Sequence, residues 1–562
     1  MSVFSERRES VRVALRDAFA QAVQDGDLPA VPPLEFVVES PPQAEFGDWS
    51  TNLAMVAARP CRMAPRAIAE RIVPRVLGRI PDVDRVEVAG PGFINVFLHP
   101  GWLAPVVREV LRGGPEYGRE LRPRSERILV EFVSANPTGP LNVVNCRAAA
   151  FGDALVRCLR AAGYTADAEF YVNDAGGQFQ RLAASLEARL AVLRGDRQIP
   201  EIPEGGYPGE YLIPIAEEFA ATHGFAILEC SPEERVQTLG RFAVEHLLSE
   251  QQAVLERFGV SFHCFFRESE IRAAGDPERV VAALSAAGHT AERDGAVWLL
   301  SQQAGDNDDR VLRKSNGQFT YRVPDIAYHI RKFERGYDRL INIYGQDHHG
   351  EVPAVRIALQ WLGYPVERME VLLTQMVRLI KQGHEVKVSK RGGSFVAMSD
   401  FIDEVGVDAA RYLFLTRTID THFDFDLDLA LRQSQDNPVY YVQYAHARIS
   451  GILRNAADAG FTVGTAEGID STVLTAVAET QLLQELARYP EEVRQAAEGR
   501  APHRLTAFCQ RVAERFHVFY VQCRVLGQPA PVTVARLQLC AATAQVLRSA
   551  LGLLGVTAPE RM

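Results

Sequence analysis

The sequence predicts an α/β chain: a doubly wound, parallel, Rossmann-type core with an insertion, an N-terminal α+β domain before it and a C-terminal α-helical bundle after it. Three observations carry that expectation. Two strand–loop–helix units stand far apart, one opening near Arg127 and one near Arg339. From about Asp426 onward the pattern is helical almost without interruption. A length of 562 residues exceeds one ordinary domain, so several are expected.

The first segment, 1–114, begins with a charged amphipathic helix, Met1 to Ala20, that lacks the apolar centre of a signal peptide. Val86–Ala89 reads as a strand, Gly90-Pro91-Gly92 as a turn and Phe93–Leu98 as an alternating strand. Gly113-Gly114-Pro115 reads as a linker. In the second segment, 115–425, Ile128–Val133 is a mostly apolar strand of the kind buried in a parallel sheet. A Pro/Gly loop, Ser134 to Pro140, leads to a helix over Leu141–Ala162, with apolar positions at Val144, Phe151, Leu155 and Cys158 and a stop at Gly163. Ala168–Val172 completes a βαβ unit. Arg339–Tyr344, the turn Gly345–Gly350, a helix over Val352–Leu362 and Glu370–Leu373 form the matching half. The stretch of about 180–316 between them is expected to be an insertion. The third segment, 426–562, reads as a bundle with helix stops near Gly460, Gly499 and Gly527.

Hydrophobic content of 47% and charged content of 23% suit a soluble globular protein. With no unbroken apolar run of about 18 residues, no membrane span is expected. The eight cysteines are scattered, and no two have zinc-site spacing. That pattern predicts a reducing cytoplasm, no disulfide framework and no structural zinc. A net charge of −10 argues against indiscriminate nucleic-acid binding, while leaving room for a folded RNA partner on a local basic surface.

Three constellations carry chemistry. The loop from Ser134 through Asn145 joins a strand's carboxyl end to a helix's amino end, where free N–H groups and the helix dipole favour phosphate. Asn142 and Asn145, three apart, share one side of the first turn; a plain βα loop with asparagine caps would carry the same residues. Lys387-Val388-Ser389-Lys390-Arg391-Gly392-Gly393 is a basic, glycine-rich loop suited to a polyphosphate, or simply a solvated one. Tyr321 to Asp325 and Gly345-Gln346-Asp347-His348-His349-Gly350 place ordered polar groups at a third position. Adjacent histidines rarely share one ion, so no metal is assigned there.

Together these motifs resemble the class I aminoacyl-tRNA synthetases, and specifically the arginyl-tRNA synthetase family, over nearly the whole chain. Glu45 to Asn52 and Val88 to Asn95 look like that family's N-terminal tRNA-contacting domain. Glu131 to Pro140 resembles its entry into the "HIGH" motif, and Lys387 to Arg391 resembles its "KMSKS" loop. Asp403–Arg411, Asp436–Arg448 and Leu554–Met562 are similar to its C-terminal half. The resemblance implies ATP as its Mg2+ complex, L-arginine and tRNA(Arg) as partners of a cytoplasmic monomer. It assigns catalysis to Asn142, Asn145, Lys387, Ser389 and Lys390. ATP falls to Gly139, Pro140, Val144, Gly345, Asp347, His349 and Lys390. Arginine's α-amino and carboxylate groups fall to Asn136 and Gln346, and its guanidinium to Asp325 and Tyr321 with Glu131 nearby. Asn52, Tyr440, Tyr444 and Arg448 are assigned to tRNA.

One motif departs from the family pattern of His, an aliphatic residue, Gly, His: here it reads Asn142, Val143, Val144, Asn145. Asparagine keeps an N–H donor but has a shorter reach and cannot be cationic. A valine is expected to intrude where the family's glycine lets adenine lie flat. Two outcomes follow: a ligase with partial compensation, or a chain that keeps the tRNA-binding frame without efficient aminoacylation.

Overall fold

The computed structural model describes residues 3–41, 44–346, 350–386, 396–464, 470 and 472–562. Helix α1 (Val3–Gln24) buries Phe4, Val11, Leu15 and Ala18, the stripe that helical spacing creates. It packs with a sheet of β1 (Val38–Glu39), β2 (Trp49–Thr51), β3 (Val83–Ala89) and β4 (Phe93–Leu98), ordered β1-β2-β4-β3 and antiparallel throughout. Two helices, α2 (Leu53–Cys61) and α3 (Pro65–Val76), complete this layer. The turn between β3 and β4 needs Gly92: its φ is +141°, and a Cβ there would come within 2.8 Å of Pro65.

After α4 (Ala104–Gly113), β5 (Arg127–Glu131), α5 (Val143–Ala161) and β6 (Thr165–Val172) form the first βαβ unit. Three helices follow, α6 (Gly176–Arg194), α7 (Leu212–His223) and α8 (Pro232–Arg257), with an apolar core of their own. Next come β7 (Cys264–Arg267), α9 (Glu268–Ala273), α10 (Asp276–Ala286) and an antiparallel sheet of β8 (Thr290–Arg293), β9 (Ala296–Leu299) and β10 (Arg310–Arg313). The second half of the core is α11 (Arg322–Glu334), β11 (Arg339–Gly345), α12 (Val352–Trp361) and β12 (Met369–Thr374).

Five parallel strands are ordered β12-β11-β5-β6-β7. The order reverses between β5 and β11, so a crevice opens at their carboxyl ends, where such sheets bind ligands. Two details differ from the sequence reading. The stretch 180–316 contains β7, which joins the main sheet as its edge strand; four residues without alternation gave no sign of it. The strand expected to reach Val133 stops at Glu131, because Val133 and Ser134 adopt φ of +68° and +37°. That left-handed turn is unusual for a β-branched residue and swings the chain across the crevice.

A small sheet of β13 (Val377–Lys381), β14 (His384–Glu385) and β15 (Phe423–Asp426), with α13 (Met398–Val405), α14 (Val407–Phe414) and α15 (Leu427–Leu431), leads to the C-terminal helices. These are α16 (Pro438–Asp458), α17 (Val477–Glu498), α18 (His503–Gln522) and α19 (Ala530–Leu554). By length and composition α19 is apolar enough to cross a membrane, which a search for unbroken apolar runs misses because Arg536 and Arg548 interrupt it. Its leucines 537, 539, 547 and 551 are buried in the bundle, the setting of a core helix.

The N-terminal region docks on the bundle. Pro490 inside α17 has no N–H to give Leu486 O, and Tyr117 OH donates to that carbonyl at 3.0 Å. Arg8 pairs with Glu491 at 2.8 Å nearby.

Candidate active site

The start of α5 is capped by the motif itself. Asn142 Oδ1 accepts from Val144 N at 2.9 Å, and Asn145 Oδ1 accepts from Asn142 N at 2.9 Å. This reciprocal capping box satisfies two of the helix's orphan donors. Both carboxamide oxygens are held by backbone N–H groups, which leaves both NH2 groups out of the cap. The pair therefore presents neutral donors where the helix dipole is positive. Val144, half-buried, packs against the main core.

The helix start also anchors the far end of the basic loop. Val143 N donates to Val396 O at 3.1 Å, Met398 N donates to Leu141 O at 2.8 Å, and Asn142 bridges Ala397. The loop residues Lys387, Ser389 and Lys390 lie outside the described residues, as do Asp347 and His349. Gly345 and Gln346 are exposed at the carboxyl end of β11, and Asn136 and Pro140 are exposed on the loop after β5.

Beneath the crevice lies a polar network. Glu131 and Asn342 are register partners on β5 and β11. Buried Lys332 donates to Glu131 Oε2 at 2.5 Å and to Asn342 Oδ1 at 2.7 Å, and Ser134 Oγ donates to Glu131 Oε1 at 2.9 Å. Glu131 thus stands behind the pocket, with both oxygens engaged. Tyr344 OH lies 3.5 Å from Glu131 Oε2 and 3.4 Å from His329 Nε2. His329 Nδ1 lies 2.9 Å from Asp325 O and 3.1 Å from its carboxylate. The Tyr344 hydroxyl donates its one proton to Glu131 Oε2, and His329 Nε2 faces the same hydroxyl. Burial, then Glu131 and Asp325, push the Tyr344 phenol far above its ordinary range. Tyr171 is raised by burial and by Glu268, Asp325 and Glu131; of these, Glu131 pairs with Lys332 and Glu268 with Arg272.

Tyr321 sits at the rim, 62% exposed, with its hydroxyl donated to Glu351 Oε1 at 2.5 Å and Arg322 pairing with the same carboxylate. Among the described residues no group of three or more His, Cys, Asp or Glu is placed to hold a metal. Sequence reasoning missed Lys332, His329 and Tyr344, whose spacing has no motif, and Arg147. Buried Arg147 on α5 donates to Gln375 O at 3.1 Å and Thr418 O at 2.7 Å, and burial pushes its guanidinium down to about 10.

On the bundle, Tyr440 and Tyr444 stack with ring centroids 6.2 Å apart and planes within 7°. Arg448 lies 4.6 Å from the Tyr444 centroid and 4.8 Å from that of Tyr520, a guanidinium between two phenols. Asn52, on the other domain, holds Val37 N through Oδ1 at 3.0 Å. His517 packs on Tyr441 and Tyr444; burial and then the Arg448 charge push its imidazole down to about 4. A folded-state value below the ordinary 6.5 means the unfolded chain binds the extra proton first. Stability is therefore complete above pH 6.5 and declines as pH falls toward 4. The melting temperature of wild type should fall over that window more than that of His517→Gln; parallel curves would refute this.

The comparisons with known proteins agree with this layout. Residues 9–98 match the family described as Arginyl tRNA synthetase N terminal domain, and residues 107–415 match tRNA synthetases class I (R), catalytic domain. Residues 442–562 match the DALR anticodon binding domain. The arginine–tRNA ligases of Symbiobacterium thermophilum and Moorella thermoacetica are each 46% identical over 562 residues, covering 100% of both chains. The solved arginyl-tRNA synthetase of Thermus thermophilus superposes with a TM-score of 0.74 at 25% identity, covering 98% of this chain and 100% of that one. That of Plasmodium falciparum, at 15% identity, gives a TM-score of 0.76 over 100% of this chain and 99% of that one, a likeness of fold alone.

Proposed function

The chain belongs to the arginyl-tRNA synthetase family, and from that membership we propose that it is an arginine–tRNA ligase, activating arginine with ATP and passing the arginyl group to tRNA(Arg). The observation that carries the reading is the run Asp325–His329–Tyr344–Glu131 under the crevice, beside the helix start that pairs with the far end of the basic loop.

An arginine guanidinium fits the carboxylate of Asp325, with Tyr321 at the rim, while Glu131, already neutralised by Lys332, shapes the pocket from behind. Asn136 and Gln346 would meet the α-amino and carboxylate groups. An arginine carboxylate oxygen then attacks the α-phosphorus of ATP, the bond to the bridging oxygen breaks, and pyrophosphate leaves. Asn142 and Asn145 offer neutral N–H donors to charge developing on the phosphates; Lys387 and Lys390 supply the cationic side and Ser389 a hydroxyl donor. Gly139, Pro140, Val144, Gly345, Asp347 and His349 form the nucleotide's surroundings, with ATP entering as its magnesium complex. In the second step a terminal ribose hydroxyl of the tRNA attacks the carbonyl carbon and AMP leaves. Asn52, Tyr440, Tyr444 and Arg448 would contact the tRNA, the aromatics by stacking on unpaired bases.

This reading divides the chain at 1–114, 115–425 and 426–562 and makes it a cytoplasmic monomer. ATP–pyrophosphate exchange with tRNA(Arg) present tests it. Exchange should appear with arginine and stay at background with citrulline or ornithine; equal exchange without arginine would sink it.

A further inference from the structure

The three-helix group α6–α8 lies outside every motif discussed above, yet it reaches the loop that crosses the crevice. Helix α8 bridges two cores. Leu239, Ala243, Val244 and Leu247 pack in the insertion's own core, whereas Leu248 and Leu255 pack in the main one. Gln251 falls between Leu248 and Leu255 on the buried face, and is 1% exposed. Its Nε2 donates to Asn136 O at 3.2 Å and to Gly139 O at 2.8 Å. Two acceptors facing one nitrogen fix the orientation of the amide. One buried side chain thus pins both ends of the turn 136–139.

A second hold comes from the segment before α7. Tyr211 OH donates to Thr138 O at 2.5 Å, between the two carbonyls held by Gln251. The approach is shaped for that ring: a Cβ on Gly209 would lie 2.2 Å from Tyr211 Cε1, so only glycine lets the ring fold back over its own segment. Gly139 faces the same ring, and a Cβ there would touch it at 3.4 Å. Three carbonyls of one short loop are thus held by two side chains of the α6–α8 group, Tyr211 beside that group's own core and Gln251 on the part of α8 that enters the main one. The loop itself leaves β5 through the left-handed pair Val133 and Ser134, a conformation that persists only when its surroundings over-determine it.

We infer that the α6–α8 insertion clamps the arginine–ATP loop, with Gln251 and Tyr211 as positioning residues of the adenylation step. The inference rests on the reading above that Asn136 and Gly139 meet arginine and ATP. The clamp leaves the Asn136 side chain exposed to the crevice while fixing its backbone. A displacement of about 1 Å in such a loop can lower a rate roughly 100-fold.

The test uses the full chain, with arginine binding by calorimetry and exchange kinetics as readouts. Gln251→Met keeps the volume and removes the donor; Tyr211→Phe removes one oxygen. Each should lower exchange kcat at least tenfold and weaken arginine binding, with melting temperature and tRNA affinity unchanged. Ser249→Ala, exposed on the same helix, should match wild type. Gln251→Met and Asn136→Ala combined should cost less than the product of their separate losses, because one acts through the other. Wild-type exchange in both Gln251→Met and Tyr211→Phe, or losses that merely track a lower melting temperature, would overturn the clamp. If Gln251→Met does not fold, Tyr211→Phe decides. A silent Asn136→Ala instead removes the reading on which the clamp rests, whatever Gln251→Met does.

Discussion

Asn142→His, Val144→Gly and Asn145→His, made together, are expected to raise arginine-dependent exchange by roughly 100-fold or more, since a single transition-state donor is worth about 2.7–4 kcal/mol. The capping box explains why the effect is an increase from a measurable rate. Each asparagine spends its oxygen on the helix end and leaves its NH2 group out of the cap, so donors persist in the present protein but remain neutral. Histidine adds reach and, when protonated, charge. The triple variant should therefore acquire a pH dependence near the ordinary imidazole value of about 6.5, whereas the wild-type amides titrate nowhere in that range. Stability should move the other way. A first-turn glycine in place of Val144 costs about 0.5–1 kcal/mol, and loss of an asparagine cap costs about 0.5–2 kcal/mol. A faster enzyme with a lower melting temperature is the expected pair of results. An unchanged rate would mean that the altered motif does not limit adenylation.

Asp325→Asn is expected to lower kcat/KM for arginine by roughly 100-fold or more, with charge-assisted bonds worth about 1.5–3 kcal/mol each and two available to a guanidinium. The side chain is isosteric, and His329 can still bond the backbone carbonyl of residue 325, so folding should survive. The carboxylate is 35% exposed, open enough to receive a ligand and sheltered enough that solvent screens a charge pair there less than on an open surface. The loss should appear mainly in arginine affinity, measured calorimetrically, and little in ATP affinity. Unaltered arginine binding would move the guanidinium site elsewhere, with the Glu268 carboxylate beside Tyr171 the next place to look.

Local pattern carried much of the frame. The apolar run at Ile128–Val130 found a strand because burial on two faces writes itself into neighbouring residues; Phe93–Leu98 is also a strand, but Ile94 to Leu98 are all buried, so its burial does not alternate. Gly163, Gly460 and Gly499 marked helix ends for the same local reason, whereas α18 stops at Gln522, well before Gly527. The strand β7 and the left-handed turn at Val133 were not legible. One depends on a distant partner strand, and the other defies the preference of its own residue.

Within the candidate site the division is sharper. The asparagine pair could be placed at a helix start from its spacing, yet spacing said nothing of which atom of each amide faces the crevice. Glu131 and Tyr321 were assigned from motif positions, and only packing revealed that one is engaged by Lys332 and the other turned to Glu351. Sequence alone determined which elements form and in what order, because those choices depend on neighbours along the chain. Tertiary structure decided which polar groups are already engaged and which face the crevice. Gln251 and Gly139, or Lys332 and Glu131, meet only when remote segments are packed together, and no local periodicity encodes that meeting.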